Sequence, residues 1–305
     1  RQLSSPQSLM DPLPKRLSRR RVLAGLLLPA LPAMAFAQAA FPERPITLVV
    51  PFGPGGIADL TARTVAQAMS ATLKVPIVID NKPSAGSIVG SAAVAQAAPD
   101  GYTVLLMSNA NAVSASLFRK LPFDVQKDFA PVGTLGVFDL ALFVAADSKL
   151  KSVRELLAEA KARPGKLSIG TIAVGSTQNL SAELFKARTG IDALIVPYKG
   201  TPAVLTALRA GEIDAAFEIL GPMLSQLQAK AVRALAVTSD RRFAALPEVP
   251  TMQEAGYKDF EIGFWSGVFL PKGTPQPIVD QLAAAIREVS HEPAVRARLE
   301  PLGTI

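Results

Sequence analysis

Ile46 to Val50 is a mostly apolar, β-rich run, the pattern of a strand buried on both faces. Pro51 to Gly56 cannot extend it, because two prolines lack an amide donor and three glycines permit φ > 0. From Ala58 onward the period becomes helical, with Val65, Met69 and Leu73 at i, i+4 and i+8. A buried strand, a glycine-rich turn and a helix N-terminus together can form an anion site. The free amides and the positive end of the helix dipole then face whatever lies above the strand end. Taken alone, such a turn is more often a plain βα connection.

The same order recurs along the chain. A second strand is predicted at Pro76 to Asp80, a turn-rich loop at Asn81 to Ser87, a helix from Ile88 to Ala97 and a third strand at Tyr102 to Met107. Ser108 to Lys127 reads as irregular, and Val132 to Ala146 contains strand material centred on Leu140 to Val144. A second α/β region opens with a capping box, Ser152 and Glu155, and its first helix stops at Pro164-Gly165. Strands follow at Leu167 to Ala173, Ala193 to Pro197, Ile213 to Phe217 and Val232 to Thr238, with helices at Leu180 to Arg188, Ala203 to Ala210 and Met223 to Lys230 between them. A strand-like aromatic run, Glu261 to Leu270, and a helix at Pro277 to Glu288 end the pattern. Strands alternating with helices imply parallel sheets with right-handed crossovers, and ligands at the carboxyl ends of the strands. The expectation is two βαβ lobes joined near 140–146 and 258–266, able to open and close on a small molecule.

Composition sharpens this picture. The 305 residues suffice for two domains, and the net charge of +7 sits mostly at the start of the chain. Residues 1–37 hold six basic groups and one acid, which leaves 26 basic against 24 acidic of the 32 and 25 in the whole sequence. With no basic block beyond the leader, a nucleic-acid partner is not expected. The leader has a basic region, an apolar run from Val22 to Leu31 and small residues at Ala35-Phe36-Ala37, so cleavage near Ala37 and export to the periplasm are predicted. Ser18-Arg19-Arg20-Arg21-Val22-Leu23 fits a twin-arginine signal, which arginine-rich leaders also match by chance. The apolar run, broken by Pro29 and followed by Pro32, is short for a membrane span.

Catalytic groups are scarce. His291 is the one histidine and there is no cysteine, which excludes thiol chemistry and zinc sites built from several histidines or cysteines. Ser148-Lys149-Leu150-Lys151 has the S-x-x-K spacing without its companion motifs, and Pro51 to Gly56 lacks both nucleotide-binding fingerprints. No catalytic residue, metal site or cofactor is assigned. The residues suit an anion site of neutral donors instead: Pro51 to Gly56, Ser84 to Ser87, Gly175 to Gln178 and the Tyr198-Lys199-Gly200 turn, with Lys199 as an optional cation. Asp59 reads as an acid that caps or orients its own helix. Glu218 reads either as a cleft acid that would repel a ligand carboxylate unless an amine or water intervened, or as an exposed loop acid.

Pro51-Phe52-Gly53-Pro54-Gly55-Gly56 with Asp59 and Arg63, Asn81-Lys82-Pro83, Pro99-Asp100-Gly101-Tyr102-Thr103, Val196-Pro197-Tyr198-Lys199-Gly200 and Leu246-Pro247-Glu248-Val249-Pro250-Thr251 stand in one order along the chain. This ordered set, from residue 43 to about 303, resembles the Bug family, the extracytoplasmic solute receptors of tripartite tricarboxylate transporters. The resemblance implies an α/β periplasmic-binding-protein-like fold of type II, with two α/β lobes, a ligand cleft between them and two crossover connections. Residues 38–141 plus 264–305 would form lobe 1 and residues 142–263 lobe 2. It also implies a small-molecule carboxylate as ligand (a di- or tricarboxylate or an acidic amino acid), membrane transporter subunits as partners, a receptor that is a monomer and no enzymatic activity. Its ligand contacts fall on Phe52, Gly53, Pro54, Gly55, Gly56, Ala85, Gly86 and Ser87 in the first lobe, and on Ser176, Thr177, Tyr198, Lys199, Gly200 and Glu218 in the second. Three departures stand out: a serine-rich second loop, Asn179 where the family has histidine, and an end at Ile305 where family members generally continue. A ligand sensor with a membrane signalling partner is the alternative function, and an enzyme ranks third.

Overall fold

The computed structural model describes residues 41–302, and the leader predicted for 1–37 lies outside them. The opening strand is β1 (Ile46–Val50), followed by α1 (Ile57–Leu73), β2 (Ile77–Asn81), α2 (Ile88–Ala95) and β3 (Thr103–Ser108). Alternation along β1 explains its burial. Ile46, Leu48 and Val50 enter one core cluster, whereas Val49 enters another with Val94 of α2 and Leu105 and Met107 of β3. The helical positions Val65 and Met69 are buried in the first of these clusters and Leu73 packs against it.

Ser108 to Leu117 differs from the irregular stretch expected. Asn109–Leu117 is a helix, α3, because the Ser108 hydroxyl accepts the Ala110 amide while the Asn111 side chain accepts the Ser108 amide. That reciprocal cap uses Asn at N3 instead of the usual Glu or Gln, which hides it from a pattern search. The next strand, β4 (Phe129–Ala145), is 17 residues long, far beyond the run around Leu140 to Val144. Its first part pairs antiparallel with β9 (Gly263–Pro271) from Phe129 to Asp139. Its last part pairs with two other strands, β7 (Ala215–Ile219) and β8 (Val232–Val237), from Leu140 to Ala145.

The second half carries α4 (Val153–Ala162), β5 (Leu167–Thr171), α5 (Thr177–Thr189), β6 (Ala193–Pro197), α6 (Thr201–Arg209) and, after β7, α7 (Leu220–Gln228). Ser152 caps α4 by accepting the Glu155 amide, but the Glu155 carboxylate reaches the Lys151 amide, one residue outside a standard box. β7 begins two residues later than its apolar pattern suggests. Asp214 is tied instead to Ser168 through both side chain and backbone, and parallel pairing starts at Ile169 with Ala215. The chain closes with α8 (Gln276–Ser290) and a short α9 (Pro293–Leu299).

Two sheet halves result. One runs β2–β1–β3–β9–β4 and the other β6–β5–β7–β4–β8, so β4 belongs to both. The second half has its own core, in which Phe185, Phe217 and Phe260 pack ring against ring. At the junction the Thr238 amide donates to the Leu140 carbonyl at 2.9 Å and the Ile262 amide donates to the Thr238 carbonyl at 3.1 Å. The buried Thr238 hydroxyl donates to the Ile262 carbonyl at 2.6 Å. Replacing it by valine keeps the shape but leaves that carbonyl short of a donor. Thr238→Val should cost about 1–2 kcal/mol and lower the Tm by a few degrees in calorimetry.

Candidate functional site

The glycine turn after β1 is held by one acid. Asp59, in the first turn of α1 and 3% exposed, accepts the Gly55 amide, the Arg63 guanidinium and the Asn81 side-chain amide, each at 3.0 Å. Asn81 at the end of β2 also donates to the Phe52 carbonyl at 3.1 Å and accepts from Arg63 at 3.0 Å. Burial by itself would raise the Asp59 carboxyl, but the bonds from Arg63, Gly55 and Asn81 outweigh it and hold the group below the usual carboxylate range. Gly55 supplies the positive φ of 83° that the turn needs, and Gly56 is the N-cap of α1.

This turn lies against the N-terminus of α6. A Cβ on Gly53 would sit 2.7 Å from the Lys199 carbonyl oxygen, and one on Gly55 3.1 Å from the Pro202 ring. A second contact joins the halves at the other rim, where the Gly86 amide donates to the Val174 carbonyl at 2.9 Å. Ser87, at φ 59°, follows Gly86 and starts α2.

Between the two halves lies a cavity of about 20 Å³, room for one water molecule. Phe52, Gly53 and Gly56 line it from one side, Gln178, Gly200 and Thr201 from the other, and Phe264 of β9 also reaches it. Every residue around it is uncharged. Three helices present their first turns there: α1 after Gly56, α5 with Gln178 and α6 with Thr201. A larger cavity of about 1010 Å³ lies elsewhere, among α4, α7, β8 and residues 245–255, and includes Lys151, Arg154 and Lys230.

The sequence candidates separate into groups. Phe52, Gly53, Gly56 and Gly200 border the cavity, while Pro54 and Gly55 form the back of the same turn. The amides of Gly55 and Gly86 are committed to Asp59 and Val174. Ser87 and Thr177 each carry a buried hydroxyl with no partner among the described residues, on opposite halves. Ser176 caps α5 by accepting the Asn179 amide, and Asn179 in turn accepts the Gly175 amide, an internal brace of the second half. Ala85 opens the single 3-10 turn before α2, Tyr198 packs at the core edge, and Lys199 is exposed.

Glu218 is no loop acid. It sits inside β7, opposite Ala141 of β4, with 0% exposure. Its Oε2 accepts from Gln178 Nε2 and Thr201 Oγ1, each at 3.2 Å, and from the Ile219 amide at 3.3 Å, whereas Oε1 has no partner among the described residues. Burial pushes this carboxyl up to about 7, against the opposing pull of Gln178, Ile219 and Thr201. Thr201 and Ser266 escaped the sequence reading. Thr201 stands beyond the Tyr-Lys-Gly turn, and Ser266, a buried hydroxyl on β9 with no partner among the described residues, shares the strand face of Phe264.

The model of the tripartite tricarboxylate transporter family receptor, TctC, matches residues 61–304. The chain belongs to this family. A protein from the tcbD-tcbE intergenic region of Pseudomonas sp. strain P51 is 40% identical over 290 residues, covering 94% of this chain and 86% of that one. The solved structure of the periplasmic binding protein BugD superposes with a TM-score of 0.83 at 34% identity, over 86% of this chain and 88% of that one. MatC from Rhodopseudomonas palustris, solved with bound malate, gives a TM-score of 0.83 at 34% identity over 87% and 90%. The two-lobed α/β fold with a cleft is therefore that of the TctC and Bug periplasmic binding proteins, a family of solute receptors rather than enzymes.

Two outcomes test the geometry of this TctC-family site. Asp59→Ala should cost about 2–3 kcal/mol at neutral pH by losing bonds to a charged group. Because the folded carboxyl lies below its unfolded value, its contribution is present above pH ~4 and fades as pH falls below that, so the gap between wild type and variant in thermal melts should narrow in acid. Gly53→Ala drives a Cβ against the Lys199 backbone without straining its own φ, so the turns must part. The variant should melt close to wild type yet bind ligand ~10-fold more weakly by calorimetry, a loss of about 1.4 kcal/mol.

Proposed function

We propose that this protein is a periplasmic receptor that captures a small carboxylate (a di- or tricarboxylate or an acidic amino acid) and delivers it to the membrane subunits of a tripartite transporter. The convergence of three helix N-termini on an uncharged cavity carries this reading. Amides, hydroxyls and helix dipoles can hold a carboxylate there without a basic side chain, at ~1.5–3 kcal/mol per charge-assisted bond. MatC, similar along most of its length, holds malate. Among the described residues no helix is long and apolar enough to cross a membrane.

Capture needs motion. A cavity of about 20 Å³ cannot admit a dicarboxylate, so the halves must separate at the rims where Gly53 meets Lys199 and Gly86 meets Val174. The hinge we assign is the junction of Leu140, Thr238 and Ile262, with residues 38–141 plus 264–305 moving against residues 142–263. β4 and the segment entering β9 are the two connections that bend.

Thermal unfolding against malate, adipate, citrate, aspartate and glutamate tests the function. A ligand at ~100 times its Kd should add about 2.7 kcal/mol and raise the Tm by several degrees. A flat panel from folded protein would count against a carboxylate receptor.

A further inference from the structure

Glu218 is a buried acid placed where a carboxylate receptor should avoid one. Its two side-chain partners, Gln178 and Thr201, line the cavity, and so does the next residue, Ile219. Three donors converge on Oε2 and none reaches Oε1. That asymmetry has a chemical consequence. An oxygen that already accepts three hydrogen bonds has no room for a proton, so a proton on this carboxyl belongs on Oε1. A protonated Oε1 is a donor, and among the described residues no hydrogen-bond partner meets it. Glu218 stands behind Gln178 and Thr201, which line the cavity, and an acceptor brought in by a ligand would enter there.

We propose that Glu218 meets the ligand as a neutral carboxylic acid, its Oε1 hydroxyl donating to an inner carboxylate of a dicarboxylate, so that capture takes up one proton from solvent. This rests on the carboxylate-receptor reading above and adds to it the charge state of the site. No bond to carbon forms or breaks. The proton comes from water or buffer and stays on Oε1, and the ligand keeps its full charge.

The surroundings fit this assignment. The charged residues on the elements packed around Glu218 are Asp139 of β4, Glu183, Lys186 and Arg188 of α5, and Arg209 of α6, and none bonds to it. Across the cavity Asp59 is paired with Arg63. No cation therefore holds Glu218 ionised, and burial raises its carboxyl to about 7. Ligand carboxylates remain ionised above pH ~6, so Glu218 is the group of this site that titrates through neutrality. One of the alternatives the sequence left open, an amine on the ligand, would instead require Glu218 to be ionised. The two predict opposite pH dependences.

Glu218→Gln separates them. Its side-chain carbonyl can take the place of Oε2 under the same three donors, and its amide then presents N–H at the Oε1 position at every pH. Isothermal titration calorimetry with malate and adipate from pH 6 to 9 should show wild-type affinity falling up to ~10-fold per pH unit above the Glu218 transition. Near pH 8, measurements in phosphate and Tris should report close to one proton taken up per ligand bound. Glu218→Gln should bind without that pH slope, without proton uptake, and more tightly than wild type at pH 8.5. Glu218→Met, which has no donor, should bind weakly throughout while still melting cooperatively. Wild-type affinity that is flat in pH, or that rises with it, overturns the inference and leaves the receptor reading standing. Failure of every carboxylate to bind either wild type or Glu218→Gln at any pH would overturn both.

Discussion

One strand ties the molecule together. β4 runs through both sheet halves, pairing with β9 up to Asp139 and with β7 and β8 from Leu140 onward. This 17-residue strand changes partners once along its length. That change falls at Leu140, where Thr238 and Ile262 complete the junction. The glycine turn of the first half and the α6 N-terminus of the second meet across the cavity on either side of this junction, which makes it the hinge we propose.

The chemistry of the site comes from neutral groups and two acids with opposite environments. Asp59 is supplied with a guanidinium, a backbone amide and a side-chain amide, and is held ionised. It serves as a post on which the glycine turn beside the cavity hangs. Glu218 has three neutral donors on one oxygen and complete burial, and is held near the point of protonation. Sequence distance and residue type say nothing of this contrast. It follows from which partners the fold brings within 3.3 Å of each carboxylate. The uncharged lining is equally deliberate in its effect: helix N-termini attract an anion without the strong, unselective pairing that an arginine would provide.

Much of this architecture was legible in the chain. The β1 run, the proline-glycine turn and the α1 period announced a βα unit, whereas Asp59, read as an acid that caps or orients its helix, braces the turn before that helix and the end of β2. Buried strands and amphipathic helices declare themselves because their periods come from local geometry. The misses have other causes. α3 is capped by an Asn at the N3 position, β4 carries polar and glycine residues in its first part because it is paired by β9, and β7 is shifted because Asp214 is claimed by Ser168. The last two depend on partners distant in sequence, whereas the α3 cap is local but uses a residue type outside the usual pattern.

The sequence alone therefore determined most of the parts: the locally periodic strands and helices, the two glycine turns, the scarcity of catalytic side chains and the ordered motifs of a receptor family. Tertiary structure decided what those parts do together. It placed Gly53 against Lys199 and Gly86 against Val174, drew Gln178 and Thr201 onto one oxygen of Glu218, and buried that acid completely. Periodicity and turn chemistry act over a few residues and can be read from neighbours. Burial and the charge state of a carboxyl are set by every atom the fold packs around it, wherever in the chain those atoms originate.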